Sequence, residues 1–316
     1  MFHYFHDHEH AAGQGSLSAD DLARLIGHIG AERIVGPRRW IELADTGKLK
    51  SNDVCLTFDD NLRCQYDVAL PVLREYGLTA FWFTQTGIYH GQLSRQDVYR
   101  KFRTEHYEDV NAFYEAFFRM LATSRYAERA EQALRHFTPD AYLARHEFYT
   151  EADRRFRYVR DEVLTPAEYD GLMTALIASE GGRLENLTER LWMSPRCLRQ
   201  LYSEGHLIGL HTHSHPTRLE RLSPEEQRAE YTENHAALTA LLGEPPAAMA
   251  HPCNSYTPGT LEILKSLSIK LGFRSNPAME RHSSLEYPRQ DSADILPRSR
   301  QAAPASSKTE PAAMSA

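Results

Sequence analysis

The chain has 316 residues, room for one large domain or two ordinary ones at roughly 150 residues each. With 36 Lys and Arg against 43 Asp and Glu, its net charge of −7 offers no cationic field for nucleic acid or an anionic membrane. No window approaches the ~18–20 apolar residues of a transmembrane span, the opening MFHYFHDHEH lacks the basic and apolar regions of a signal peptide, and Cys55, Cys64, Cys197 and Cys253 form no CxxC pair, so the sequence reads as cytoplasmic.

In chain order, Val54 to Phe58 is β-branched and apolar and stops at Asp59-Asp60, which predicts a buried strand delivering two carboxylates from its C-terminal tip. Val68, Val72, Leu73 and Tyr76 then fall at helical spacing, with Pro71 near the first turn or bending the helix and Gly77 ending it. Thr79 to Phe83 reads as the next strand, which makes a parallel βαβ unit. Residues 92–191 are different: Arg, Glu, Ala and aromatics dominate, and Thr165-Pro166-Ala167-Glu168 is a helix start, so several inserted helices are expected.

The βα pattern then returns. A helix carrying Leu198, Leu201 and Tyr202 closes at Gly205, a strand runs from His206 to Leu210, a capped helix spans Ser223 to Leu242, and Ala247 to Ala250 leads into His251-Pro252-Cys253. Such units predict an α/β barrel or an open parallel sheet over residues 1–298. From Ser299 to the end, residues 299–316 lose all periodicity and are expected to be a disordered tail.

Paired acids after a strand are usually a solvated turn or a helix cap. His211 and His215, four positions apart, have the spacing of metal-ligating imidazoles, but Pro216 and the lack of an adjacent Glu rule out an HExxH helix. Read together, two imidazoles and one carboxylate at strand ends make a facial site with open positions for water and substrate. His6, His8 and His10 read as decoration of a polar loop.

Thr57-Phe58-Asp59-Asp60 and His211-Thr212-His213-Ser214-His215-Pro216 resemble the first two motifs of the polysaccharide deacetylase family, also called carbohydrate esterase family 4. The resemblance implies a distorted (β/α)7 barrel, here with the large helical insertion. It implies hydrolysis of an N-acyl group from an amino sugar, with Asp59 as catalytic base and Asp60, His211 and His215 holding a divalent metal, zinc first, with cobalt, nickel, iron or manganese as alternatives. It also implies that the backbone N–H of Cys253 serves the oxyanion, with Asn254 and Tyr256 beside it in the altered third motif; a Cys253 thiol nucleophile is the competing idea.

Tyr287-Pro288-Arg289-Gln290-Asp291 is similar to the Pro-Arg-x-Asp run of the bacterial surface-glycan branch, which implies that Arg289 orients the base, with Asp291 nearby. The family's late His has no clear match, leaving His282 and His3 as candidates for the general acid. The implied partner is an amino-sugar glycan of O-antigen or capsule, or its nucleotide- or lipid-linked precursor. A deformylase on a similar sugar and a non-catalytic glycan-binding barrel are the alternatives. The long stretch between Asp60 and His211 predicts that the inserted helices wall the groove and restrict it to a short glycan, precursor or chain end.

Overall fold

The computed structural model describes residues 1–144, 149–278 and 280–296; the tail expected from Ser299 lies outside them. Five short strands, β1 Thr57–Phe58, β2 Phe81–Thr84, β3 Leu207–Leu210, β4 Ala248–Ala250 and β5 Leu271–Phe273, form one parallel sheet in sequence order. Two further segments extend it by one residue each: Phe2 bridges Phe58 at one edge and Tyr287 bridges Phe273 at the other, both parallel. The Ser292 N–H donates to Met1 C=O at 3.1 Å, linking these two outer segments. The expected seven strands are thus five strands and two single bridges, and the sheet curls toward a barrel.

Helices accompany it, among the described residues α1 Ala19–Ile29, α2 Pro37–Asp45, α3 Leu70–Glu75, α4 Arg95–His106, α5 Val110–Ala122, α6 Ala127–Leu134, α7 Glu151–Tyr158, α8 Pro166–Ser179, α9 Pro195–Ser203, α10 Pro224–Leu242 and α11 Pro258–Ser266. The capping signs act as expected at α8 and α10, where Thr165 with Glu168 and Ser223 with Glu226 form reciprocal capping boxes. Ahead of α3 the chain makes a π turn over Gln65–Ala69. Val68, Val72 and Leu73 are buried, whereas Tyr76, expected on the same face, is the C-cap residue just past the end of α3 and is exposed.

Strand alternation sorts the core into layers. Phe58, Trp82, Ile208, Leu210 and Met249 face the surrounding helices, packing with residues such as Leu22, Leu73, Leu201 and Leu238. Phe81, Phe83, Leu207, Ala248, Ala250, Leu271 and Phe273 fill the opposite face, with Trp40 of α2 against them. Each buried Phe or Leu contributes about 1.5–3 kcal/mol relative to exposure. Gly209 permits this layer to close, because a Cβ there would lie 2.6 Å from Ala248 O and 2.7 Å from the Phe83 ring.

The inserted helices α4, α5, α7 and α8 build a hydrophobic cluster of their own around Phe113, Phe117, Phe156 and Met173. Among the described residues no helix is long and apolar enough to cross a membrane.

Candidate active site

The C-terminal ends of β1, β3 and β4 deliver the polar residues to one place. Leaving the sheet requires sharp turns, and the non-glycine residues Asp60, Asn61, Thr212, His215, Cys253 and Asn254 all adopt positive φ, between 51° and 75°. Such backbone is costly and persists where the surroundings hold it. Two buried glutamines do part of this. Gln65 Nε2 donates to Asp59 C=O at 2.6 Å and to His3 C=O at 2.8 Å, and Gln85 Nε2 donates to Asp60 C=O at 3.3 Å and to Asp97 Oδ2 at 3.1 Å.

Asp60 Oδ1 lies 3.3 Å from His211 Nε2 and 3.2 Å from His215 Nε2. His211 Nδ1 is 2.9 Å from the Ala250 carbonyl, to which it donates, so the Nε2 lone pair points at the carboxylate. Burial disfavours a charged ring at His215, but the hydrogen bond and charge of Asp60 override it and raise its pKa to about 9. Burial likewise opposes ionisation of Asp60, and the two imidazoles hold its carboxyl well below the usual range. An acceptor-only carboxylate between two imidazole nitrogens, drawing a proton onto one of them, is a donor set suited to a divalent cation in the proton's place.

Asp59 is fixed differently. Arg289 grips both of its oxygens, Nη1 to Oδ1 and Nη2 to Oδ2 at 2.7 Å each, while its Nε donates to Arg274 C=O at 2.6 Å and the guanidinium lies 5.7 Å from the Phe83 ring centre. Burial pushes the Asp59 pKa up, but the Arg289 charge outweighs it and the carboxyl is held below its ordinary value. His3 stands over both acids, its Nε2 3.9 Å from Asp59 Oδ2 and from Asp60 Oδ2.

Residues 174–272, from α8 to β5, match the family model described as Polysaccharide deacetylase. The match spans His211, His215 and Cys253. Solved structures agree on the fold. The Streptococcus pyogenes deacetylase PplD in complex with acetate aligns over 94% of this chain and 95% of its own at 17% identity and a TM-score of 0.53. IcaB from Ammonifex degensii aligns over 94% and 92% at 14% identity and 0.51, and a de-N-acetylase from Aggregatibacter actinomycetemcomitans over 92% of each chain at 12% identity and 0.51. No curated protein matches the sequence.

The other expected residues divide. The Cys253 N–H meets no acceptor among the described residues and remains available as a donor. Desolvation and the Asp60 charge push its thiol up to about 12, which leaves little thiolate and argues against the nucleophile reading. Asn254 Oδ1 accepts from the Ser275 N–H at 3.2 Å, and Tyr256 stacks on His251 with its hydroxyl 3.0 Å from Glu286. Asp291 accepts from the Ala293 N–H at 2.9 Å, a turn-capping role rather than a contact with the carboxylates.

His282 requires a correction. Its side chain is 75% exposed and pairs with Glu280 at 3.6 Å, away from Asp59 and Asp60, because the following residues are held by Gly272 N–H to Ser284 C=O and by the contact of His251 with Leu285 C=O.

A second group, Glu9, His10 and Asp67, has atoms close enough for a metal, but Arg63 and Arg190 already neutralise its carboxylates. The sequence reading overlooked Asp97 on α4, which is buried. It accepts from Tyr4 Oη on Oδ1 and from Gln85 and Trp192 Nε1 on Oδ2, and burial and the Asp60 charge raise its pKa. At third place after Ser94 it resembles any acid in the first turn of a helix, so only the fold exposes its position.

Proposed function

We propose that the protein is a divalent-metal-dependent N-deacylase that removes an N-acetyl group from an amino sugar of a surface polysaccharide or of its nucleotide- or lipid-linked precursor. The observation that carries this reading is the pairing of roles at β1: Asp60 lies between His211 and His215, whereas its neighbour Asp59 is gripped by Arg289. One carboxylate is placed to hold a cation and the adjacent one to handle a proton.

Amide hydrolysis needs an activated water, a place for negative charge and a proton for the departing nitrogen. A cation held by Asp60, His211 and His215 supplies, when bound, positive charge that acidifies water and polarises the acyl carbonyl; zinc suits two imidazoles and a carboxylate. Asp59, kept ionised by Arg289, accepts the proton of the attacking water, and the guanidinium keeps the carboxylate from rotating away. The Cys253 N–H donates to the developing oxyanion. His3, beside both acids, protonates the leaving nitrogen.

Asp97 on α4, bonded to Tyr4 and Gln85, brings the inserted helices to this centre, in support of a site walled for a short glycan, a precursor or a chain end rather than the middle of a long polymer. Primary-amine release from a panel of N-acetylated and N-formylated sugars, with zinc or cobalt supplied, tests the reading. Acetyl substrates should yield amine. Preference for formyl would reassign the acyl group, and no amine from any member would contradict the function.

A further inference from the structure

The inserted helices gather four guanidinium groups with little to neutralise them. Arg100 and Arg103 stand on α4, Arg157 is near the end of α7 and Arg160 lies in the turn that follows. Aromatic rings support them: the Arg100 Cζ is 3.5 Å from the ring centre of Tyr4, Arg103 5.8 Å from Phe113, Arg157 4.1 Å from Tyr149 and Arg160 5.8 Å from Phe156. Phe113 and Phe156 are themselves edge to face at 5.3 Å, so Arg103 and Arg160 sit over adjoining rings.

Their polar partners are few. Arg160 forks onto Asp161 at 2.6 and 2.8 Å, and Arg100 donates to Gln14 C=O at 2.6 Å. Among the described residues, Arg103 and Arg157 have neither a hydrogen bond nor an ion pair, although both are half-buried, and Arg157 Nε is sealed from water without an acceptor. Asp153, buried on α7, is already occupied by Tyr114, Gln14 and the Thr150 cap.

Desolvation and then mutual repulsion act against both free arginines: Arg100 disfavours the charge on Arg103, and Arg160 and Arg103 disfavour that on Arg157. Arginine does not escape by losing its proton. In a chain of net charge −7, a desolvated group of like cations is a local exception that an anion would complete, because guanidinium forks match phosphate and carboxylate oxygens.

The cluster also borders the centre. Arg100 covers the ring of Tyr4, the residue after His3, whose hydroxyl holds Asp97, and Arg160 is among the charges that act on Cys253. We propose that these arginines, with Arg103 and Arg157 foremost, form a binding site for an anionic group, a phosphate or a carboxylate, carried by the substrate at a distance from its N-acyl group. That the anion belongs to the substrate rests on the deacetylase reading; the existence of the anion site does not.

Calorimetric titration of the full chain with inorganic pyrophosphate and, separately, with glucuronate tests the site without requiring turnover and distinguishes the two sources. One of the two should bind, raise the melting temperature, and lose at least tenfold in affinity in the double variant Arg103→Gln/Arg157→Gln. Without anion, each single variant should melt at or above the wild-type temperature, since a repelling charge has been removed. Binding by neither anion, equal binding by the double variant, or a fall in melting temperature for both single variants would overturn the proposal. The wild-type protein keeps the two ideas apart: anion binding in a wild-type chain that releases no amine from any N-acylated sugar would refute the deacetylase reading alone.

Discussion

The barrel mouth and the inserted helices treat charge in opposite ways. At the mouth the two adjacent carboxylates of β1 each meet a complement: Asp59 is matched by Arg289 and Asp60 by two histidines. In the insertion, Arg103 and Arg157 lie beside two more arginines without a carboxylate of their own. A self-consistent ion network is what a site needs when its geometry must exist before substrate arrives, whereas an unbalanced one gains its complement from the ligand.

The largest effect should follow from the base. Asp59→Asn keeps the shape and the cation ligands but removes the proton acceptor, and turnover should fall by ~10³–10⁴ while metal is retained; a rate within threefold of wild type in single-turnover assays would remove Asp59 from that role. His3→Gln comes next, with a loss of ~10² in kcat and little change in KM. Unchanged kcat would mean that another group supplies the proton.

Stability gives a direct contrast between the two regions. Arg289→Gln leaves a buried carboxylate uncompensated and should cost about 3–5 kcal/mol in urea unfolding, whereas Arg103→Gln should cost nothing. Equal losses at both positions would erase the distinction drawn between mouth and insertion.

The smallest expected effect is in pH dependence. His206, edge-on to Trp82 at 5.6 Å and accepting the Ala80 N–H on Nδ1 at 3.0 Å, is held down to about 4 by burial. Between the unfolded value of about 6.5 and this lower one, the unfolded chain binds a proton that the folded chain refuses, so stability falls as pH falls through that window. His206→Gln should flatten this part of the stability curve; an identical slope in the variant would place the proton uptake elsewhere.

These contrasts follow what the sequence made legible. Asp59, Asp60, His211 and His215 lie in short contiguous runs at strand ends, so a local pattern carries both their identity and their geometry. Arg289 was readable through its Pro-Arg run. Gln65, Gln85 and Asp97 were not, because each acts through contacts distant in sequence, two of them with backbone carbonyls. Tyr76, at helical spacing from Val72, is exposed because α3 ends one residue before it. His282, seven positions before Arg289, looked close only along the chain; seven extended residues reach over ~20 Å. In the insertion, frequent arginine signalled helices, and the crowding of four of them emerged only when α4 and α7 both packed against α5.

Metal content of the purified protein and its variants tests the central claim most directly. The account predicts stoichiometric zinc or a similar divalent metal in the wild-type and Asp59→Asn proteins and near-complete loss in Asp60→Ala, His211→Ala and His215→Ala, each still folded by circular dichroism. Full metal occupancy in His215→Ala, or none in the wild type after zinc is supplied, would contradict it.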